Sequence, residues 1–151
     1  METPPVPKGY QSVIPSLNVT DGNAAIEFYV QAFGAHENFR MSGPDGKVLH
    51  SEMEIGDCIV FLADEAQEWE ALSPTTVGGC PFSLVTYTPD CDAMTARVVA
   101  AGATILKDPA DYPWGERSAL VRDPFGYRWA ICTRTEDVPP DELARRMQDW
   151  S

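Results

Sequence analysis

The stretch Ala119 to Thr133, ALVRDPFGYRWAICT, decides the fold of this chain. Two apolar-rich segments flank Asp123-Pro124-Phe125-Gly126, where proline presets φ and glycine accepts positive φ, so the spacing predicts a tight hairpin. Counted from that turn, Ala119 pairs with Ala130 and Arg117 with Cys132. Leu120, Trp129 and Ile131 then share one face, and Ala119, Arg128, Ala130 and Cys132 the other.

Working outward, the same pattern of elements occurs twice. Pro81 to Thr88 reads as a strand, Asp90 or Asp92 caps a helix through Ala101, and Gly102 ends it. Ala103 to Lys107 is a strand, and Asp108 to Glu116 a loop before the hairpin. Upstream, Gln11 to Val19 reads as a strand with Pro15 at an edge or bulge. Thr20 or Asp21 caps a helix whose Ile26, Tyr29, Val30 and Phe33 recur at helical spacing, stopped by Gly34. His36 to Ser42 and Lys47 to Ile55 are strands, and Gly56-Asp57 turns the chain into Cys58 to Asp64. Each half is βαβββ, and sliding the first by 68 residues sets Leu17 on Val85, Val30 on Val98 and Gly34-Ala35 on Gly102-Ala103. The expected organisation is one domain: module one over 10–64, a linker over 65–80 with a short helix around Ala66 to Ala71, and module two over 81–134. A C-terminal helix over 139–150 carries Leu143 and Met147 on one face, for packing on the body or on a partner subunit.

Composition narrows the function. With 151 residues, 44% of them hydrophobic, the chain can bury one sizeable core. Eleven Lys and Arg against 23 Asp and Glu give a formal charge of −12. Such a surface repels phosphate backbones and anionic lipids and attracts cations, so no nucleic-acid and no membrane partner is expected. No apolar run reaches the length of a membrane helix, and METPPVPKG lacks the regions of a signal peptide, so the expected location is cytoplasmic. Cys58, Cys80, Cys91 and Cys132 show no metal spacing and read as reduced, mostly buried thiols.

The paired βαβββ pattern, the first-helix segment FYVQAFGA (28–35), the segment LHSEMEIGD (49–57), WGER (114–117) and DPFGYRW (123–129) together resemble the vicinal oxygen chelate superfamily. That group holds glyoxalase I, bleomycin-resistance proteins and extradiol dioxygenases, and the chain looks most like its PhnB-like branch. The resemblance implies an α+β fold, two βαβββ modules forming a curved mixed sheet around a cup, in a homodimer. It also implies metal ligands from the first and last strands of each module, and these positions fall near Ile14, Phe61, Ser83 and Ala130. Ile, Phe and Ala offer no lone pair and a neutral serine hydroxyl is a poor ligand, so no metal and no cofactor are expected.

Pairing across Gly56-Asp57 sets Ile55 against Cys58, Glu54 against Ile59, Glu52 against Phe61 and His50 against Ala63. The cup is then expected to hold His50, Glu52, Glu54, Arg117 and Arg128 among Ile14, Ile59, Phe61, Val85 and Tyr87. His50 and Glu52 are open to three readings: a general-base pair for catalysis, two ligands of a relocated metal site, or polar wall matched by Arg117 and Arg128. Tyr112 and Trp114 lie in a loop expected over the cup mouth and Trp69 in the linker, either stacking on a flat or cationic ligand or plugging loop to sheet. Trp129 reads as core. The expected function is metal-independent binding of a small, partly aromatic compound, cations included, of the antibiotic-sequestration type, through Phe61, Tyr87, Trp114, Arg117, Arg128 and Glu54. The alternatives are an isomerase or lyase moving protons with His50 and Glu52, or a glyoxalase- or dioxygenase-like metalloenzyme; an orphan scaffold is the third class. The branch name points to phosphonates, against the net charge, and Arg117 and Arg128 are the groups that would meet such an anion.

Overall fold

In a computed structural model describing residues 2–150, the chain divides into two compact units, one ending at Gly79 and the other starting at Cys80. The first runs β1 (Ser16–Val19), α1 (Gly22–Phe33), β2 (His36–Ser42), β3 (Val48–Ile55) and β4 (Cys58–Asp64), with a 3-10 turn at Gln67–Trp69 and a one-turn helix α2 (Pro74–Val77). Its sheet order is β1-β4-β3-β2, with β1 parallel to β4 and the other pairs antiparallel.

Asp21 caps α1 by accepting from the Ala24 N–H at 3.0 Å, and Gly34 ends it at φ 67. The buried stripe is Ala25, Ile26, Tyr29, Ala32 and Phe33, with Phe28, whereas Val30 is 41% exposed. The stripe is thus rotated from the expected one, because Val30 lies beyond the edge of the contact with the sheet. Beneath it lie Leu17, Val19, Met53, Val60 and Leu62, each 3% exposed or less. Asp64 binds this arrangement together: its carboxylate accepts from the Gly22 N–H at 3.0 Å and the Val48 N–H at 2.7 Å, pinning the starts of α1 and β3 to the end of β4. A Cβ on Gly22 would stand 2.8 Å from both Asp64 Oδ2 and Val48, so only glycine fits there.

The second unit runs β5 (Ser83–Tyr87), α3 (Cys91–Ala100), β6 (Thr104–Tyr112), β7 (Glu116–Arg122), β8 (Arg128–Arg134) and α4 (Pro140–Asp149), with sheet order β5-β8-β7-β6. Asp90 caps α3. The two sheets and their helices are the expected α+β architecture; in the linker the short helix expected around Ala66 to Ala71 is reduced to the 3-10 turn Gln67–Trp69 and the helical turn α2, not expected from the sequence, follows it, and four further departures lie in the strands and cysteines.

The first strand is four residues long instead of nine. Proline 15 has no N–H to extend the ladder, although its carbonyl still accepts from the Phe61 N–H at 2.9 Å. Second, β6 continues through most of what reads as a loop, because it is an edge strand whose register shifts on either side of Lys107 absorb Pro109. Third, Leu17 is fully buried whereas Val85 is 58% exposed, so Leu84, one residue earlier and opposite Trp129, is the true counterpart of Leu17. Fourth, Cys58 is exposed at the strand start, while Cys91 and Cys132 are buried.

The hairpin itself is one residue longer than its motif suggests. The Gly126 N–H donates to the Asp123 carbonyl, the Asp123 N–H donates to the Tyr127 carbonyl, and Arg122 pairs with Arg128. Gly126 at φ 91 lets the chain close between Asp123 and Tyr127, so Tyr127 belongs to the turn. Ala119 therefore pairs with Ile131 and Arg117 with Thr133. A slip of one residue exchanges faces. Ala119, Val121, Trp129 and Ile131 share the buried face toward α3, and Leu120, Arg128, Ala130 and Cys132 share the other.

Helix α4 is anchored by charge more than by apolar contact, since none of its residues is buried. The Arg146 guanidinium forks onto Glu136 at 2.8 and 2.7 Å and also reaches Glu142 and the Pro113 carbonyl. Bonds from Arg145 and Arg146 hold the Glu142 carboxyl down at about 2, from an ordinary 4.5. A depressed carboxyl contributes stability above its unfolded pKa and loses it as pH falls through the folded value. The bonds to Glu142 lie within the helix; the tie to the body is Glu136, which Arg146 likewise holds below its ordinary range, so the attachment of α4 is expected to be unchanged from pH 7 to 5 and to weaken as pH falls below the ordinary carboxylate range. The Trp150 indole NMR signal reports it, and an unchanged signal at pH 2 would contradict this.

Candidate functional site

Each sheet has a face turned away from its own helix, and these open faces gather most of the polar and aromatic side chains singled out by the sequence. In the first unit the register is the one counted across Gly56-Asp57: Ile55 opposite Cys58, Glu54 opposite Ile59 and Glu52 opposite Phe61. His50, Glu52, Glu54 and Phe61 consequently share the open face, whereas Ser51, Met53 and Leu62 point to the core and are fully buried.

His50 and Glu52 are neighbours without a mutual hydrogen bond. The His50 ring lies edge to face with Phe61 at 4.7 Å between centroids. Glu52 instead accepts from the Tyr10 hydroxyl on one oxygen and from Asn38 Nδ2 at 3.1 Å on the other. Those two donors hold the Glu52 carboxyl below its ordinary range, with a smaller contribution from His50, and the Tyr10 phenol is pushed up in return. Tyr10 also sets its ring edge to face on Phe61 at 5.8 Å. Glu54 is exposed beside this cluster, opposite His36 and Ile59, and Ile59 is only 6% exposed.

In the second unit a cavity of about 210 Å³ opens over the sheet, with Leu120, Ala130 and Ser118 in its floor and Lys107, Tyr112, Trp114 and Trp150 around it. Tyr112 and Trp114 stack at 4.6 Å and 17°, and Trp150 meets Trp114 edge to face at 5.4 Å. Glu116 fixes the wall: it accepts from the Tyr87 hydroxyl at 2.5 Å and from Trp114 Nε1 at 3.2 Å. Tyr87, 63% exposed, has its phenol pushed up chiefly by that bond. Arg128 is on this open face, opposite Ser83 and Arg122.

Arg117 is not. The one-residue slip of the hairpin turns it to the α3 face, where it forks onto Asp92 with both bonds at 2.9 Å and reaches Asp111 at 3.3 Å. Its expected place in the cup is corrected by that register. Trp69, in its 3-10 turn, is 80% exposed. Of the positions that the family resemblance points to for a metal, Phe61 faces Ser16 and Glu52, Ser83 faces Arg128, and Ala130 faces Val85 and Leu120. With Ile14, these side chains do not make a ligand set. Among the described residues, no three His, Cys, Asp or Glu side chains converge as a metal centre would need.

Sequence reading missed Tyr10, Asn38, Glu116 and Trp150. Glu116 alone carried a usable signal, because its alternation with Ser118 and Leu120 places it on the open face; the other three arrive by chain path.

The profile of the Glyoxalase/Bleomycin resistance protein/Dioxygenase superfamily matches residues 12–131. An uncharacterized protein of Mycobacterium tuberculosis is 38% identical over 136 residues, covering 88% of this chain and 80% of that one. The anthracycline biosynthesis protein DnrV of Streptomyces peucetius is 32% identical over 123 residues, which is 80% of this chain but 41% of DnrV. Among solved structures, TioX from Micromonospora sp. ML1 superposes with a TM-score of 0.64 at 28% identity, covering 82% of this chain and 98% of TioX. By the extent of the profile match and by these relatives, the chain belongs to the Glyoxalase/Bleomycin resistance protein/Dioxygenase superfamily.

Proposed function

We propose that the protein is a metal-independent binder of a small, partly aromatic compound, cationic forms favoured, of the kind that sequesters an antibiotic or antibiotic-like molecule. The observation that carries this is the well of stacked Tyr112 and Trp114 with Trp150 over an apolar sheet floor, in a chain of net charge −12. Aromatic walls receive flat rings, and aromatic faces together with negative charge receive cations. The likeness to a protein named for anthracycline biosynthesis supports the class of compound. Membership of the PhnB-like branch, a homodimer and a cytoplasmic location complete the reading; light scattering at micromolar concentration tests the dimer.

Two features favour binding over proton transfer at His50 and Glu52. A carboxylate held low by Tyr10 and Asn38 is a weak base, and the His50 imidazole is not oriented by donating a hydrogen bond to Glu52. An anionic ligand is disfavoured because Arg117 is engaged by Asp92 and Asp111.

Daunorubicin, a flat aromatic amine, serves as the probe, followed by quenching of tryptophan fluorescence. Saturable quenching is expected, weakened about tenfold by Trp114→Ala, the loss of roughly 1.4 kcal/mol of stacking. Absence of binding to this probe and to neutral and anionic aromatics alike overturns the proposal.

A further inference from the structure

The segment before β1 does something its composition does not announce. Pro15 ends the backbone ladder with β4, yet the next strand position is not left open: the Gln11 side-chain amide donates to the Ile59 carbonyl at 2.6 Å and accepts from the Ile59 N–H at 3.2 Å. One side chain thus imitates a backbone pair and fastens the strap to the sheet margin. That clip delivers Tyr10 onto the open face, ring against Phe61 and hydroxyl on Glu52. Residues 2–9 beyond it are exposed.

We propose that Tyr10 is an intramolecular stand-in for ligand, and that the first unit's open face takes an aromatic ring bearing a hydroxyl or ammonium donor, the ring going to Phe61 and the donor to Glu52. This rests on the binding function proposed above and adds the chemistry of a second subsite. The contacts of Tyr10 define that chemistry. Phe61 offers an aromatic surface for a ring edge. Glu52 offers a charged acceptor, the stronger kind of hydrogen-bond partner, with its other oxygen already oriented by Asn38. A carboxylate on the ligand in place of the donor would meet Glu52 as a like charge. The strap also sets apparent affinity: a subsite open one-tenth of the time binds about tenfold more weakly than an open one.

The test titrates the 151-residue chain, its Y10A and Y10F variants and the Y10A/E52Q double variant with tyramine and with phenylacetate, followed by amide NMR shifts. Tyr10 is only partly buried, and circular dichroism checks that each variant is folded. Expected are tyramine binding about tenfold tighter in Y10A than in the parent, with shifts at Glu52 and Phe61, and an intermediate gain in Y10F. The anion should bind more weakly, and E52Q should cancel the gain. Equal tyramine affinity in parent and Y10A, or weaker binding in Y10A, overturns the stand-in while leaving binding by the second unit's well intact. No tyramine binding by any variant overturns the subsite, and the daunorubicin titration then decides separately whether the general function survives.

Discussion

Asp123→Ala is expected to destabilise the protein by about 4 kcal/mol, enough to lower Tm by on the order of 10 °C. Asp123 is 3% exposed, and its carboxylate accepts from the Phe125 and Tyr127 N–H groups at 2.9 and 3.0 Å and from Trp129 Nε1 at 3.0 Å. Removing it leaves three donors in a buried turn without that acceptor, and each unsatisfied donor costs about 1–3 kcal/mol. Asp123→Asn keeps one carbonyl oxygen but turns an amide donor toward donors, so an intermediate loss is expected. Urea and thermal unfolding measure both; a change under 1 kcal/mol in the alanine variant would show that the turn is held by the chain around it instead.

Gly115→Ala should be the most damaging single change at the aromatic well. Gly115 has φ +86, and a Cβ there would stand 2.4 Å from the Glu136 carbonyl oxygen and 2.9 Å from Val138. The backbone strain and the clash together should cost about 3 kcal/mol or more. The effect reaches the site because the Gly115 carbonyl accepts from the Thr135 and Glu136 N–H groups at 2.8 and 3.1 Å, stapling the turn that presents Trp114 to the segment leading into α4. Loss of the Trp114–Trp150 contact and of daunorubicin quenching is expected alongside the fall in stability. Gly46→Ala is the control: its φ is +81 but nothing lies within 4 Å, so it carries the conformational cost alone, about 1 kcal/mol. Equal losses in the two variants would contradict the clash.

Much of the fold was legible because its signals are local. Asp21 and Asp90 cap helices, Gly34 and Gly102 take positive φ at or just past their ends, and Gly56-Asp57 permits only a short connection. The register between β3 and β4 followed from that turn, and with it the shared face of His50, Glu52, Glu54 and Phe61. The other hairpin defeated the same counting. A hairpin that sets Arg122 opposite Tyr127 and one that sets it opposite Arg128 read alike in Asp-Pro-Phe-Gly, and the difference of one residue moved Arg117 from the open face to Asp92 on α3. The buried Asp123 network that selects the longer turn is assembled only when Trp129 folds back over it.

By itself the sequence determined the two βαβββ units, the boundaries of α1, α3 and α4 to within a residue or two, and the acidic, aromatic character of the protein, since caps, turns and composition act within a few residues. Only the tertiary structure decided which groups hold the carboxylates of Glu52 and Glu116 on the open faces: Tyr10 and Asn38 on Glu52, Tyr87 and Trp114 on Glu116. The physical reason is that a hydrogen bond across 42 residues, as between Tyr10 and Glu52, depends on where Pro15 turns the chain and where Gln11 clips it, and neither path leaves a period in the sequence.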